Sequence, residues 1–126
     1  MEKISWWRTD FTEEDISNVS NTIRNKQISM GEVTKRFETE LSKKLNVPYI
    51  VSTTSGSIAI LMALLSSGIK NGDEVIIPNR TWISAVHAAL LIGVKPVIVD
   101  VEKNNPVLNI EKIESAITKK TRAIIP

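Results

Sequence analysis

Apolar side chains recur every three or four positions through the first third of the chain, against a polar and charged background. Ile16, Val19 and Ile23 form one such stripe; Val33, Phe37, Leu41 and Leu45, four apart, form another. Both are the signature of amphipathic helices. Thr12 opens the first, with Asp15 three positions on as a capping-box partner and Glu13 and Glu14 at the positive end of the helix dipole. That helix ends near Lys26, and residues 27–31 read as a loop closed by Gly31. The second helix runs from about Glu32 to Leu45, and Asn46-Val47-Pro48 stops it.

From Tyr49 onward the periodicity changes to short apolar runs alternating with helical segments. Tyr49–Val51 reads as a strand, followed by the small residues Thr53, Thr54, Ser55, Gly56 and Ser57 and a strongly apolar helix that finishes at Ser66–Gly68. After a turn at 69–74, Val75–Pro78 is a second strand. Thr81 starts a helix to Leu91 or Ile92, with Gly93 placed as its C-terminal cap. Pro96–Asp100 is a third strand, its proline in the first position, where a missing donor is tolerated. Asn105-Pro106 marks a loop, and Asn109 caps a helix whose inner stripe is Ile110, Ile113 and Ile117. Arg122–Pro126 begins a fourth strand.

Four apolar strands separated by helices predict an α/β fold, a mainly parallel sheet with helices on both faces and right-handed crossovers. Ligands in such sheets sit beyond the carboxyl ends of the strands, here Thr53–Ser57, Pro78–Trp82 and Asp100–Asn105. The organisation divides the chain into an N-terminal helical segment, 1–48, and the first part of an α/β domain, 49–126. A last strand with no helix after it gives the sheet an unfinished look, with an unpaired edge.

Composition narrows the chemistry. The hydrophobic share of 42% and charged share of 24% are those of a soluble globular domain. A net charge of +2 from scattered basic residues supplies no nucleic-acid or membrane patch. The chain has no cysteine and one histidine, which argues against a disulfide framework, a thiolate nucleophile or a metal site built on Cys or His. The longest apolar run, Ile58–Leu65, is too short to span a bilayer, and the N-terminus lacks a signal-peptide run; a cytoplasmic protein is the simplest reading. Trp6, Trp7 and Phe11 form an aromatic cluster of the kind found in cores and interfaces. His87, four residues from both Ile83 and Leu91, reads as a core or interface histidine. Lys70, Lys95, Lys119 and Lys120 read as solvated.

The turn at Thr53–Ser57 is the strongest candidate for chemistry. A helix start leaves N–H groups unpaired at the positive end of its dipole, so it accepts a phosphate. Gly56 lets the backbone come close to an anion, and the hydroxyls add donors without bulk. On the local pattern alone an ordinary N-capped helix fits equally well.

The wider pattern resembles the DegT/StrS family of pyridoxal-phosphate sugar aminotransferases. The matching stretches are Ile28–Val33 with Phe37-Glu38, Thr54–Ala59 with Ala63-Leu64, Gly72–Pro78 with Thr81-Trp82, Gly93–Asp100, and Ile113–Pro126. The resemblance implies the large domain of fold-type I pyridoxal-phosphate enzymes, and the chain looks like the first third of such a protein. It implies that Gly56 and Ser57 cradle the cofactor phosphate, with Ser55 flanking them. It also implies that Trp82 stacks on the pyridine ring; the alternative for Trp82 is a core role. Ser29 and Gly31 resemble the family's substrate-side segment. Asp100 does not match the carboxylate that pairs with the ring nitrogen, and no lysine here stands in the Schiff-base context. The implied cofactor is pyridoxal 5'-phosphate, and the implied substrates are a nucleotide-linked keto-sugar and glutamate. A homodimer is implied as the assembly.

The resemblance therefore implies an aminotransferase whose 126-residue segment alone is inactive. Two related readings are a sugar dehydratase, in which histidine replaces the lysine, and a regulatory relative. A reading from another class is a non-catalytic nucleotide-binding or assembly fragment, but no strand is followed by Gly-x-Gly-x-x-Gly.

Overall fold

The computed structural model of the chain describes residues 7–126. The elements are α1 (Glu13–Arg24), α2 (Glu32–Leu45), α3 (Gly56–Ser66), β1 (Glu74–Pro78), α4 (Ser84–Leu91), β2 (Lys95–Val99), α5 (Ile110–Ala116) and β3 (Thr121–Ile124). They fall into two compact units, residues 1–52 and 53–126.

In the first unit, both helices begin and end where local chemistry dictates. Thr12 and Asp15 complete a capping box: the Thr12 N–H donates to Asp15 Oδ2 at 2.8 Å, and the Asp15 N–H donates to Thr12 Oγ1 at 3.3 Å. The backbone N–H and the hydroxyl of Thr12 hold the Asp15 carboxyl below its ordinary range. α2 stops at Asn46, which takes the left-handed conformation at φ +52°. The Ser52 N–H donates to Glu38 Oε1 at 2.7 Å, anchoring the chain after α2. Ile16, Val19, Ile23 and Phe37 are exposed, so neither stripe is buried. Trp6 lies outside the described residues. Trp7 and Phe11 are exposed and form no core.

The second unit is built on a parallel sheet in the order β2-β1-β3, with β1 in the centre. Val75, Ile76 and Ile77 alternate across the sheet and have no exposed surface, so both faces of the central strand are covered. On one face Val75 and Ile77 join Leu64 of α3, Ala85, Ala88 and Ala89 of α4, and Val94 in a single core.

Three sequence expectations are corrected. Tyr49–Val51 is not a strand, and the described sheet has three strands rather than four. A strand is held by its ladder, and β1 already has β2 on one side and β3 on the other. Tyr49 and Val51 instead lie exposed. α4 begins at Ser84, three residues after Thr81, because Asn79–Trp82 forms an irregular loop first. The α5 stripe is broken: Ile110 and Ile117 are exposed and only Ile113 is half-buried. The helix is two turns long, and Ile117 has already left helical geometry, with ψ at 129°.

At the amino ends of the strands, Glu74 is a buried carboxylate serving all three. Its Oε2 accepts from the Thr118 hydroxyl at 2.6 Å and its Oε1 from Lys95 Nζ at 3.0 Å. Its N–H donates to the Lys120 carbonyl at 2.9 Å. Lys95 is thus paired with Glu74, not simply solvated. The Thr118 hydroxyl, then Lys95, pull the Glu74 carboxyl below its ordinary value of 4.5. A lowered folded-state value means stability present above that ordinary value and lost as pH falls through the folded one. The melting temperature is therefore expected to fall as pH drops below about 4.5. Glu74→Gln should melt lower at neutral pH and follow a shallower acid limb. Parallel acid limbs in the two proteins would remove Glu74 from this role.

Candidate functional site

α3 starts with its own cap in place. Ser55 is extended (φ −164°, ψ 161°), and its Oγ accepts from the Ile58 N–H at 3.3 Å. The Thr53 hydroxyl donates to the Ser55 carbonyl at 3.0 Å, closing the turn from the other side. This leaves the first-turn N–H groups of Gly56 and Ser57, for which a helix contains no acceptor. Ser55, Gly56 and Ser57 are all exposed.

Nothing in the protein requires glycine at position 56. Its φ is not in the left-handed region, and a Cβ there would meet no atom within 4 Å. A glycine at a helix start with open space in front of it fits an oxyanion brought against the backbone. The α3 start thus has the donor set a phosphate needs: free N–H groups, a serine hydroxyl and no side chain in the way.

The loop after β1 carries the second candidate. Trp82 is 78% exposed and lies outside the core that α3, α4 and β1 form in this chain. Thr81 is exposed and Ser84 is buried at the start of α4. Both segments belong to one edge of the sheet. α3 leads through the tight turn at 67–73 into the amino end of β1, so it begins at the carboxyl edge; α4 leaves β1 at that same edge. α3 and α4 pack together through Leu64, Ala85, Ala88 and Ala89.

A feature absent from the sequence-based site ties this edge together. The Asn79 N–H donates to the Val99 carbonyl at 2.8 Å, and Asn79 Nδ2 donates to Asp100 Oδ1 at 2.7 Å. An asparagine directly after one strand and an aspartate directly after its neighbour was the available signal, but only the parallel register shows that they meet.

Ser29 and Gly31 belong to the first unit, in the exposed turn before α2. Gly31 caps that helix through its carbonyl, which accepts from Lys35 N–H at 3.0 Å, and its φ of −177° is open to any residue. A cavity of about 530 Å³ in the same unit is lined by Asn18, Asn21, Thr22, Arg36 and Phe37 among others, with Arg36 its one titratable side chain. His87 is exposed on α4 and is not a core histidine. Among the described residues, no cluster of His, Asp or Glu could hold a metal ion, and no helix is long and apolar enough to cross a membrane.

The carboxyl edge of the parallel α/β sheet thus carries a helix start with unpaired N–H groups and an exposed indole. The chain belongs to the DegT/DnrJ/EryC1/StrS aminotransferase family, whose profile matches residues 9–126. It is 37% identical over 119 residues to the UDP-4-amino-4-deoxy-L-arabinose–oxoglutarate aminotransferase of Shewanella sediminis, covering 94% of this chain and 31% of that protein. Among solved structures, it matches Spr1654 of Streptococcus pneumoniae, assigned as a sugar aminotransferase, in its PLP form. That match has a TM-score of 0.92 and 33% identity, over 99% of this chain and 32% of the other. It also matches the Escherichia coli GDP-4-keto-6-deoxy-D-mannose-3-dehydratase with bound hydrated PLP, at TM-score 0.84 and 27% identity, over 93% of this chain and 32% of the other. The chain spans about a third of the length of these relatives.

Proposed function

We propose that this chain works as the N-terminal part of a pyridoxal-phosphate-dependent sugar aminotransferase that moves an amino group, from glutamate, onto a nucleotide-linked keto-sugar. In this reading residues 1–48 are a helical segment and residues 49–126 the first part of the cofactor-binding large domain. The enzyme is a cytoplasmic homodimer. The observation that carries the reading is the α3 start, where capped Ser55, open Gly56 and Ser57 present a phosphate cradle. The PLP-form and PMP-form neighbours and the aminotransferase relative from Shewanella support it.

When bound, pyridoxal phosphate supplies the electron sink that lets an amino group change partners. The residues of this chain do the holding. The first-turn N–H groups at Gly56 and Ser57 and the Ser57 hydroxyl bind the phosphate, with Ser55 fixing the turn. Trp82 lies against the ring and excludes water from its face. Ser29 and Gly31 contribute to the sugar side. Residues 1–126 carry neither the Schiff-base lysine nor the carboxylate for the ring nitrogen, so this segment alone does not turn over. A dehydratase reading is kept alive by the match to the Escherichia coli dehydratase.

The test uses a chain extended to the length of its relatives, titrated with pyridoxal phosphate and then given glutamate and a keto-sugar nucleotide. Amino-sugar product supports the reading, and deoxygenated sugar in its place supports the dehydratase. Ser57→Ala should weaken cofactor binding by about 1–2 kcal/mol, the scale of one hydrogen bond to a charged group. Trp82→Ala should weaken it by a similar amount, about 1–2 kcal/mol, while Trp82→Phe stays close to the parent. Unchanged affinity in both Ser57→Ala and Trp82→Ala would place the cofactor elsewhere.

A further inference from the structure

We infer that Asp100 and Asn79 form a clamp that positions Trp82, making Asp100 a positioning residue for the ring-stacking face; this rests on the reading of Trp82 given above. The carboxyl edge of a parallel sheet is where the backbone leaves its ladder, so each loop there needs its own restraint. β1 ends at Pro78 and the next helix does not begin until Ser84, which leaves residues 79–83 to hold the indole from an irregular loop. Only the first of these is tied to the neighbouring strand. The Asn79 N–H extends the ladder by one residue, donating to the Val99 carbonyl at 2.8 Å, and its side-chain amide donates to Asp100 Oδ1 at 2.7 Å. The second bond lies on the exposed surface and joins the two strand ends through their side chains.

Asp100 is itself held. Its carbonyl accepts from the Asn109 N–H at 3.2 Å, and Asn109 caps α5 by accepting from the Lys112 N–H at 2.8 Å. Asn109 Nδ2 also donates to Glu102 Oε1 at 2.8 Å, and Val101 pairs with Leu108 across the intervening loop. One residue therefore joins three segments: the loop that presents Trp82, the end of β2, and the start of α5. At the far end of the loop, the Ala85 N–H donates to the Trp82 carbonyl at 3.3 Å. The indole thus sits between two fixed points, the clamp at Asn79 and the first turn of α4.

The experiment measures nitrogen-15 relaxation of the backbone amides of residues 80–82 and of the Trp82 indole in the 126-residue chain. In the parent these amides should show order parameters near 0.85, and in Asp100→Ala and Asn79→Ala they should fall below about 0.6. The double variant should fall no further, because both changes remove the same bond. Asp100→Asn, whose amide oxygen still accepts from Asn79, should restore order. Order unchanged in both single variants overturns the clamp, as does a second, additive loss in the double variant. Amides in the β1 and β2 ladders serve as the folding reference. If those also loosen in Asp100→Ala, Asn79→Ala decides, since it leaves the Asp100 carbonyl and its bond to Asn109 in place. The two readings fail separately. A loosened loop with unaltered cofactor affinity in Trp82→Ala supports the clamp and removes the stacking role. Weakened affinity in Trp82→Ala with a rigid loop in both clamp variants overturns the clamp alone.

Discussion

Gly56→Val is expected to lower pyridoxal phosphate affinity by about two orders of magnitude, roughly 3 kcal/mol, while leaving the fold intact. The two halves of that expectation have different origins. A Cβ at position 56 meets no protein atom within 4 Å and the backbone there is not left-handed, so the chain accommodates a larger residue. Valine is also no worse than glycine in a helix. If a phosphate approaches the backbone at Gly56, as proposed above, the valine side chain competes for that space and holds it off donors worth about 1.5–3 kcal/mol each toward a charged partner. Gly56→Ala should fall between the two. The measurement is a cofactor titration in a chain of the relatives' full length, paired with a urea unfolding curve for each variant. Equal affinity at equal stability would show that the phosphate is bound somewhere else.

The second large effect concerns stability alone. Gly93→Ala is expected to destabilise the second unit by about 2–5 kcal/mol, the sum of a left-handed backbone penalty and overpacking. Gly93 has φ +71°, and a Cβ there would stand 2.9 Å from Cγ and 3.2 Å from Cβ of Asn71. The second of these atoms lies next to the Asn71 backbone, and a rotamer change cannot move it away. The turn cannot shift either, because the Gly72 N–H donates to the Gly93 carbonyl at 3.2 Å and the Lys95 N–H to the Asp73 carbonyl at 2.9 Å. Gly72→Ala is the internal control. It shares the backbone penalty, with φ +91°, but nothing lies within 4 Å of its Cβ. Urea unfolding should therefore show Gly93→Ala clearly below Gly72→Ala. Equal losses would mean that Asn71 yields and that only the backbone matters.

Much of the fold was legible because its determinants are local. The capping box at Thr12 and Asp15, the stop at Asn46 and the Asn109 cap of α5 each depend on residues within four positions of one another. The glycine at position 93 announced a left-handed cap for the same reason. The unpaired donors at the α3 start were equally readable, since a helix start carries them in consecutive residues.

The sequence by itself therefore determined α1, α2, α3 and α5 with their local caps, the parallel α/β class and the candidate phosphate turn. Tertiary structure decided what depends on partners distant in the chain. Tyr49–Val51 has the composition of a strand, but no described strand pairs with it. The stripe at Ile110, Ile113 and Ile117 has the spacing of a buried face, but the helix ends before its last member. Trp82 is apolar enough for a core, yet the loop before α4 puts it in the open. The bond from Asn79 to Asp100 spans 21 residues, and that from Thr118 to Glu74 spans 44. Such contacts exist only once the parallel register aligns the ends of different strands, because a strand's own sequence sets its pleat and not its neighbour.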